Sequence, residues 1–393
     1  MTMPSPSATL TQQITDTVAG VIRQDSRPVP LHIPTFGGNC NAYVKECIDT
    51  GWVSSVGSYV TRFEEDIKQY TGTKHAIATV NGTAALHIAL RMAGVEQGDQ
   101  VLCPSLTFVA TPNAISYCGA TPHFVDVDPR TLGIDPAAIH SYLEQHAERR
   151  DDGCCYDKTS GARIKALVGM HAFGHPFDLA GAQTLCDTWG ITFVEDAAES
   201  LGSLSGGKHT GTFAKVGMLS FNGNKIITTG GGGMVLTDDD ALGQWAKHVT
   251  TTAKQQHRWA YIHDEVGYNY RMPNLNAALG CAQLEEIDDL LAAKRDLAQR
   301  YIDAFADSEA GAILPEPEGT RSNYWFSSLV LNPGVADHRD HILNALCDAG
   351  FLVRPIWQPM HTLPMYQGCP SMALPVTEDM ANRVINLPSS AGL

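Results

Sequence analysis

From His75 to Ala197 the chain repeatedly alternates a short apolar, β-branched run with a longer stretch that opens like a helix, and this alternation fixes the fold class. HAIATV, QVLCPSLT, TPHFVDVD, RIKALVGMHAF and ITFVEDA read as strands. NGTAALHIALRMAGV, the segment past Pro112, PAAIHSYLEQHAERR and AGAQTLCDTWG read as the helices between them. Strands that are apolar almost throughout have no solvent face, so the pattern predicts a mainly parallel α/β sheet with helices on both faces.

The 393 residues divide, on this reading, into a polar arm over 1–30, a large α/β domain over 31–270, a long connecting helix within 271–310 and a small α+β domain over 311–393. The arm is expected to lie on the surface ahead of the first packed element. Apolar residues spaced by three and four predict short helices near Tyr43–Thr50 and Val60–Tyr70, and one long helix from Asn274 to Phe305. The charged, turn-rich RRDDGCCYDKTSGAR is expected to be an exposed loop. With 44% hydrophobic and 18% charged residues the chain has ample material for a core. Its net charge of −15 argues against nucleic acid and anionic membrane as partners. No run approaches the roughly 18 apolar residues of a spanning helix, and the start lacks a basic, then apolar, leader pattern, so no membrane insertion and a cytoplasmic location are expected. The ten cysteines are scattered without a CxxC pair and read as reduced.

Three features carry chemistry. The strand ITFVEDA ends in Glu195-Asp196, and in open α/β sheets ligands sit beyond the carboxyl ends of strands. Strand alternation turns the two carboxylates to opposite faces, leaving Asp196 as the candidate for the site. Lys225 lies between SFNGN and IITTGGGG, a strand-forming run followed by glycines that admit close backbone approach. A partly desolvated amine there can form an imine with an aldehyde. Val80-Asn81-Gly82-Thr83 runs from a strand into a helix, whose free N–H groups and hydroxyl make a phosphate seat. An anion seat, a strand-end carboxylate and an imine-competent lysine are what pyridoxal 5′-phosphate requires. Phe108 follows the second strand, where it can stack on a ring.

NGTAALHIAL, PSLTFVATPNAISYCGATPHFVDVD, VEDAAESLGS, SFNGNK and GYNYRMPNLNAALGCAQLE together resemble the DegT/DnrJ/StrS sugar aminotransferases, over roughly residues 35 to 390. The resemblance implies the fold type I architecture of aspartate aminotransferase. It implies Lys225 as the Schiff-base lysine, Asp196 as the ring-nitrogen partner and Phe108 as the stacking aromatic. Gly82, Thr83 and Ser220 are implied for the phosphate, Glu199 and Asn222 as further cofactor contacts, and Asn269 as a contact reaching the cofactor of a second subunit in a homodimer. The implied reaction moves an amino group from glutamate to a nucleotide-linked keto sugar. FNGNK…TTGGGG, HRWAYIHDEVGYNYRMPNLNAALG and the ending NLPSS resemble the legionaminic acid subgroup, which points to the 4-keto group of a UDP-linked 4-keto-6-deoxy-N-acetylhexosamine. A GDP-linked 4-keto-6-deoxy sugar of the perosamine type is the alternative substrate.

Arg258, in the cluster His257-Arg258-Trp259, is a candidate for a diphosphate, and Tyr324, Trp325, Arg354 and His361 are candidates for facing the substrate. His171 and His175 have the spacing of a metal pair but no helix and no carboxylate beside them, so no metal is expected. Asn222 and Gly231 depart from the histidine and glutamate common at those places in the family. Dehydratase relatives carry histidine in place of the lysine, and Lys225 argues against that branch. A non-catalytic binding protein on the same scaffold should lack the lysine. A cysteine desulfurase finds support only in Cys154 and Cys155, and a dinucleotide-dependent dehydrogenase would need a GxGxxG after the first strand.

Overall fold

A computed structural model describes residues 6–23 and 27–393. In chain order, α1 (Pro6–Val21), α2 (Cys40–Thr50) and α3 (Ser58–Thr71) precede β1 (His75–Thr79), α4 (Gly82–Met92), β2 (Gln100–Pro104), α5 (Ala110–Tyr117), β3 (Thr121–Val125) and α6 (Pro136–His146). Then follow β4 (Ala147–Arg149), β5 (Cys155–Asp157), β6 (Arg163–Met170), α7 (Leu179–Trp189) and β7 (Thr192–Asp196), the short pair β8 (Leu204–Ser205) and β9 (Lys208–His209), β10 (Val216–Ser220), β11 (Gly233–Thr237) and α8 (Asp240–Thr250). The remainder comprises α9 (Asn274–Glu285), α10 (Ile287–Phe305), β12 (Gly311–Ile313), β13 (Thr320–Arg321), β14 (Ser327–Leu331), α11 (Arg339–Asp348), β15 (Arg354–Pro355), α12 (Pro375–Ala381) and β16 (Val384–Leu387).

The main sheet runs β1-β11-β10-β7-β6-β2-β3. From β10 to β3 every pairing is parallel, whereas β11 is antiparallel to both β10 and β1. Alternate residues of one strand feed different cores. Ala76 and Ala78 pack toward α3 and α9, while Ile77 between them packs toward α4. Likewise Val101 and Cys103 face one layer and Leu102 the other. Two buried faces explain why the strands show no polar alternation, and the fold is the α/β, fold type I arrangement expected.

Three expectations need correction. The first thirty residues contain α1, whose Ile14 and Val18 are buried with Leu297 and Tyr301 of α10 and Ile342 and Leu346 of α11; an apolar stripe at helical spacing overrides the polar composition. The charged insertion is not a free loop: β4 and β5 pair antiparallel, and β5 extends the main sheet beside β6. Its interior is anchored by Cys155, which is fully buried, while Cys154 stays half-buried. The long helix breaks at Glu286, so α9 and α10 are separate elements. The smaller sheet, β12-β14-β16-β15, packs against α10, α11 and α1, and its β14 and β16 ends reach the main sheet's carboxyl edge.

Candidate active site

The carboxyl ends of β7 and β10, the start of α4 and the first residues of the smaller sheet enclose a cavity of about 500 Å³. Asp196, at the end of β7, faces it. Its carboxylate accepts from the Thr111 hydroxyl at 2.9 Å and from the Ala198 N–H at 3.2 Å. Burial raises its pKa, opposed by those two donors and by the charge of Lys225. Glu195 points the other way. It accepts from the N–H groups of Gly211, Phe213 and Ala214 and pairs with His171 at 3.0 Å, which holds its pKa down despite full burial. Strand alternation therefore separates a carboxylate facing the cavity from one held by the backbone.

Lys225 sits in the turn after β10, its N–H bonded to Asn222 O. The run Ile226–Thr229 is not a strand. It is a loop pinned by buried Ile226 and Ile227 and by the Thr229 N–H to Phe221 O, and this fixes the lysine's base. The Lys225 Nζ lies 3.3 Å from Glu199 Oε1 and 3.8 Å from the centre of the Trp325 ring, with only 12% of the side chain exposed. The other oxygen of Glu199 accepts from the Phe173 N–H at 2.9 Å. Burial pushes Glu199 up to about 7, with Asp196 adding to the rise and Lys225 opposing it.

Asn81 caps α4, its side chain accepting from Ala84 N–H at 2.8 Å, and the first intrahelical bond comes only at Ala85. The N–H groups of Gly82 and Thr83 thus precede the helix's own bonding. A methyl group on Gly82 would stand 2.9 Å from Ser220 Oγ and Cβ, so the glycine lets the β10 hydroxyl and the helix start converge. Phe108 is half exposed and borders the same cavity. Close-set donors at one end, a buried carboxylate at the middle and a primary amine beside it fit the phosphate, ring nitrogen and aldehyde of pyridoxal 5′-phosphate.

Asn222, Trp325 and Arg354 also line the cavity. Asn222 is at the exposed rim, donating to Asn224 at 3.1 Å. Tyr324 does not face the cavity: it is buried, its hydroxyl accepts from Glu316 N–H, and its ring meets His175 edge-on. His361 is also off the lining, held by the Ser105 hydroxyl at 2.8 Å. Arg258 and Asn269 lie in the exposed 254–270 segment, outside the cavity of their own chain. Contrary to the expectation of no carboxylate nearby, His171 pairs with the buried Glu195 as well as stacking on Phe177, whereas His175 packs on Tyr324. Among the described residues, His248, Asp264 and Glu265 are close enough together to share an ion, but they are surface groups: His248 bonds Asp264, and Trp245 donates to Glu265. The sequence reading missed Thr111, Met170, Trp357, Asn386 and Leu31. Thr111 carried a signal, since a hydroxyl in the first turn of a helix beyond a strand end faces the same edge as Asp196.

A profile of the DegT/DnrJ/EryC1/StrS aminotransferase family matches residues 34–393. The chain is 37% identical to the GDP-perosamine synthase of Vibrio cholerae over 366 residues, covering 93% of this chain and 95% of the relative. It is also 37% identical to the GDP-perosamine synthase of Escherichia coli O157:H7, with 93% and 94% covered. Among solved structures it is similar to the aminotransferase TlmJ of Streptoalloteichus hindustanus, with a TM-score of 0.82 and 29% identity over 92% of this chain and 94% of that one.

Proposed function

This chain belongs to the DegT/DnrJ/EryC1/StrS aminotransferase family, whose members depend on pyridoxal phosphate, and we propose that it moves an amino group from glutamate to the keto carbon of a GDP-linked 4-keto-6-deoxy sugar. The observation that carries the chemistry is the Lys225 amine, held in the cavity beside Glu199 and in the field of the buried Asp196. Likeness to GDP-perosamine synthases supports the GDP-linked substrate.

Bound pyridoxal phosphate supplies the electron sink that makes an amino acid's α-proton removable. Gly82 and Thr83 N–H groups with the Ser220 hydroxyl would hold the phosphate, Asp196, steadied by Thr111, would keep a proton on the ring nitrogen, and Phe108 would pack against the ring. Lys225 would carry the proton from the donor's α-carbon to the cofactor in the first half-reaction and from the cofactor to the sugar carbon in the second. Arg354 receives a carboxylate of glutamate from the smaller sheet. Arg258 and Asn269 serve a second copy of the chain, Arg258 at the nucleotide diphosphate and Asn269 at the cofactor, in a homodimer.

A UDP-linked 4-keto-6-deoxy-N-acetylhexosamine is the second reading, favoured by the wording of SFNGNK…TTGGGG and of the 257–280 segment. Purified protein with pyridoxal phosphate and glutamate is to be tested against both keto sugars. Preferential amination of the GDP sugar supports the first reading, and preference for the UDP sugar replaces it. Refusal of every keto nucleotide sugar alongside a fast glutamate half-reaction removes both.

A further inference from the structure

Behind the cavity wall lies a lysine that the reaction above does not use. Lys294, in the middle of α10, is 1% exposed. Its ammonium donates to two backbone carbonyls, Trp325 O at 3.1 Å and Ser389 O. Among the described residues it has no carboxylate partner. A buried cation with only carbonyls around it is costly, and an apolar chain of similar volume is generally as stable or more so. Packing does not explain its presence.

Its two partners do. Trp325 forms the wall on which the Lys225 amine rests, its indole N–H fixed to Asn224 O at 2.6 Å in the same turn. Ser389 joins the segments that close this side of the cavity: its hydroxyl accepts from Ser327 N–H, and its own N–H bonds Leu31 O. One ammonium therefore ties the start of β14, the tail after β16 and, through Ser389, the 29–33 segment. We propose that Lys294 is a positioning residue for the aminotransferase site, clamping Trp325 so that its indole face meets the Lys225 amine. Burial takes Lys294 itself down to about 7.

The inference rests on Lys225 being the reactive amine, and its test uses no sugar. Lys294→Met, Trp325→Phe and the double variant are loaded with pyridoxal phosphate, and the loss of the cofactor's visible absorbance on adding glutamate is followed, together with the melting temperature. Lys294→Met should melt within a few degrees of the parent or above it. Its maximal glutamate rate should fall about ten-fold, with half-saturating glutamate changed less than about two-fold. Trp325→Phe should show a loss of similar size, and the double variant should be little worse than either, because both changes act on one contact. A lower melting temperature with an unaltered rate would assign Lys294 to stability alone and overturn the proposal, as would additive losses in the double variant. If Lys294→Met does not fold, Trp325→Phe decides: a parental rate there overturns the proposal too. A parent protein that binds no pyridoxal phosphate would instead contradict the reading of Lys225.

Discussion

Adjacent carboxylates at the end of β7 have opposite surroundings, and their surroundings assign their work. Glu195 is saturated by three backbone N–H groups and His171, so nothing is left for a ligand. Asp196 keeps accepting capacity toward the cavity, and Lys225 completes the pair. Replacing Lys225 by Ala should abolish turnover and the visible band of the loaded enzyme. Asp196→Asn, which cannot hold a proton on the ring nitrogen, should lower the maximal rate at least about a hundred-fold; absorbance spectra and initial rates check both. Glu199 gives a prediction with a sign. Its folded pKa of about 7 lies above the ordinary 4.5, so the folded state binds the extra proton and stability is lost as pH rises from 4.5 through 7. Glu199→Gln removes that loss. Its melting temperature relative to the parent should rise between pH 5 and pH 8, a gain on the order of 3 kcal/mol at the upper end, and a difference that does not vary with pH would refute the assignment.

At the level of elements, what the sequence made legible was what burial on two faces imposes. Strands β1, β2, β3, β6 and β7 were readable because they are largely apolar, and α4, α6 and α7 open at Asn81, Asp135 and Asp178, each accepting an N–H of the first turn. α1 was masked by its Ser and Thr residues, although Ile14 and Val18 are one helical turn apart on the buried face. The β4–β5 pair was hidden because both strands are short and carry Glu148, Arg149 and Asp157 among turn-forming residues, so neither shows an apolar run. Of the site, Lys225, Asp196, Gly82 and Phe108 were accessible from local pattern. Trp357 and Asn386 were not, since their place in the cavity depends on how the smaller sheet meets the larger one. The convergence of α4 and β10 is itself testable. Gly82→Ala should weaken pyridoxal phosphate binding at least about ten-fold, because the new methyl group meets the Ser220 side chain. Gly82→Ala with Ser220→Gly should recover part of that loss in an absorbance titration, whereas a double variant as weak as the sum of the two singles would deny the contact.

For the whole molecule the decisive feature is what the 254–270 segment leaves uncovered. Trp259, Tyr261 and Val266 are each about four-fifths exposed, and Arg258 and Asn269 lie there too, away from their own chain's cavity. A cluster of large apolar side chains in water is costly to leave bare and is what an interface covers. On the proposed homodimer each site takes Lys225 from one chain and Asn269 from the other. Two variants, Lys225→Ala and Asn269→Ala, should each have little activity alone. Unfolded, mixed in equal amounts and refolded together, half of the dimers would be hybrids. In a hybrid one site inherits both defects and the other inherits neither, so the mixture should recover about one quarter of the parental activity. A chain that builds its site from its own residues gives no recovery, because every chain in the mixture carries one defect. Sedimentation of the parent protein supplies the independent check, and a monomer fully active at nanomolar concentration would remove the shared site.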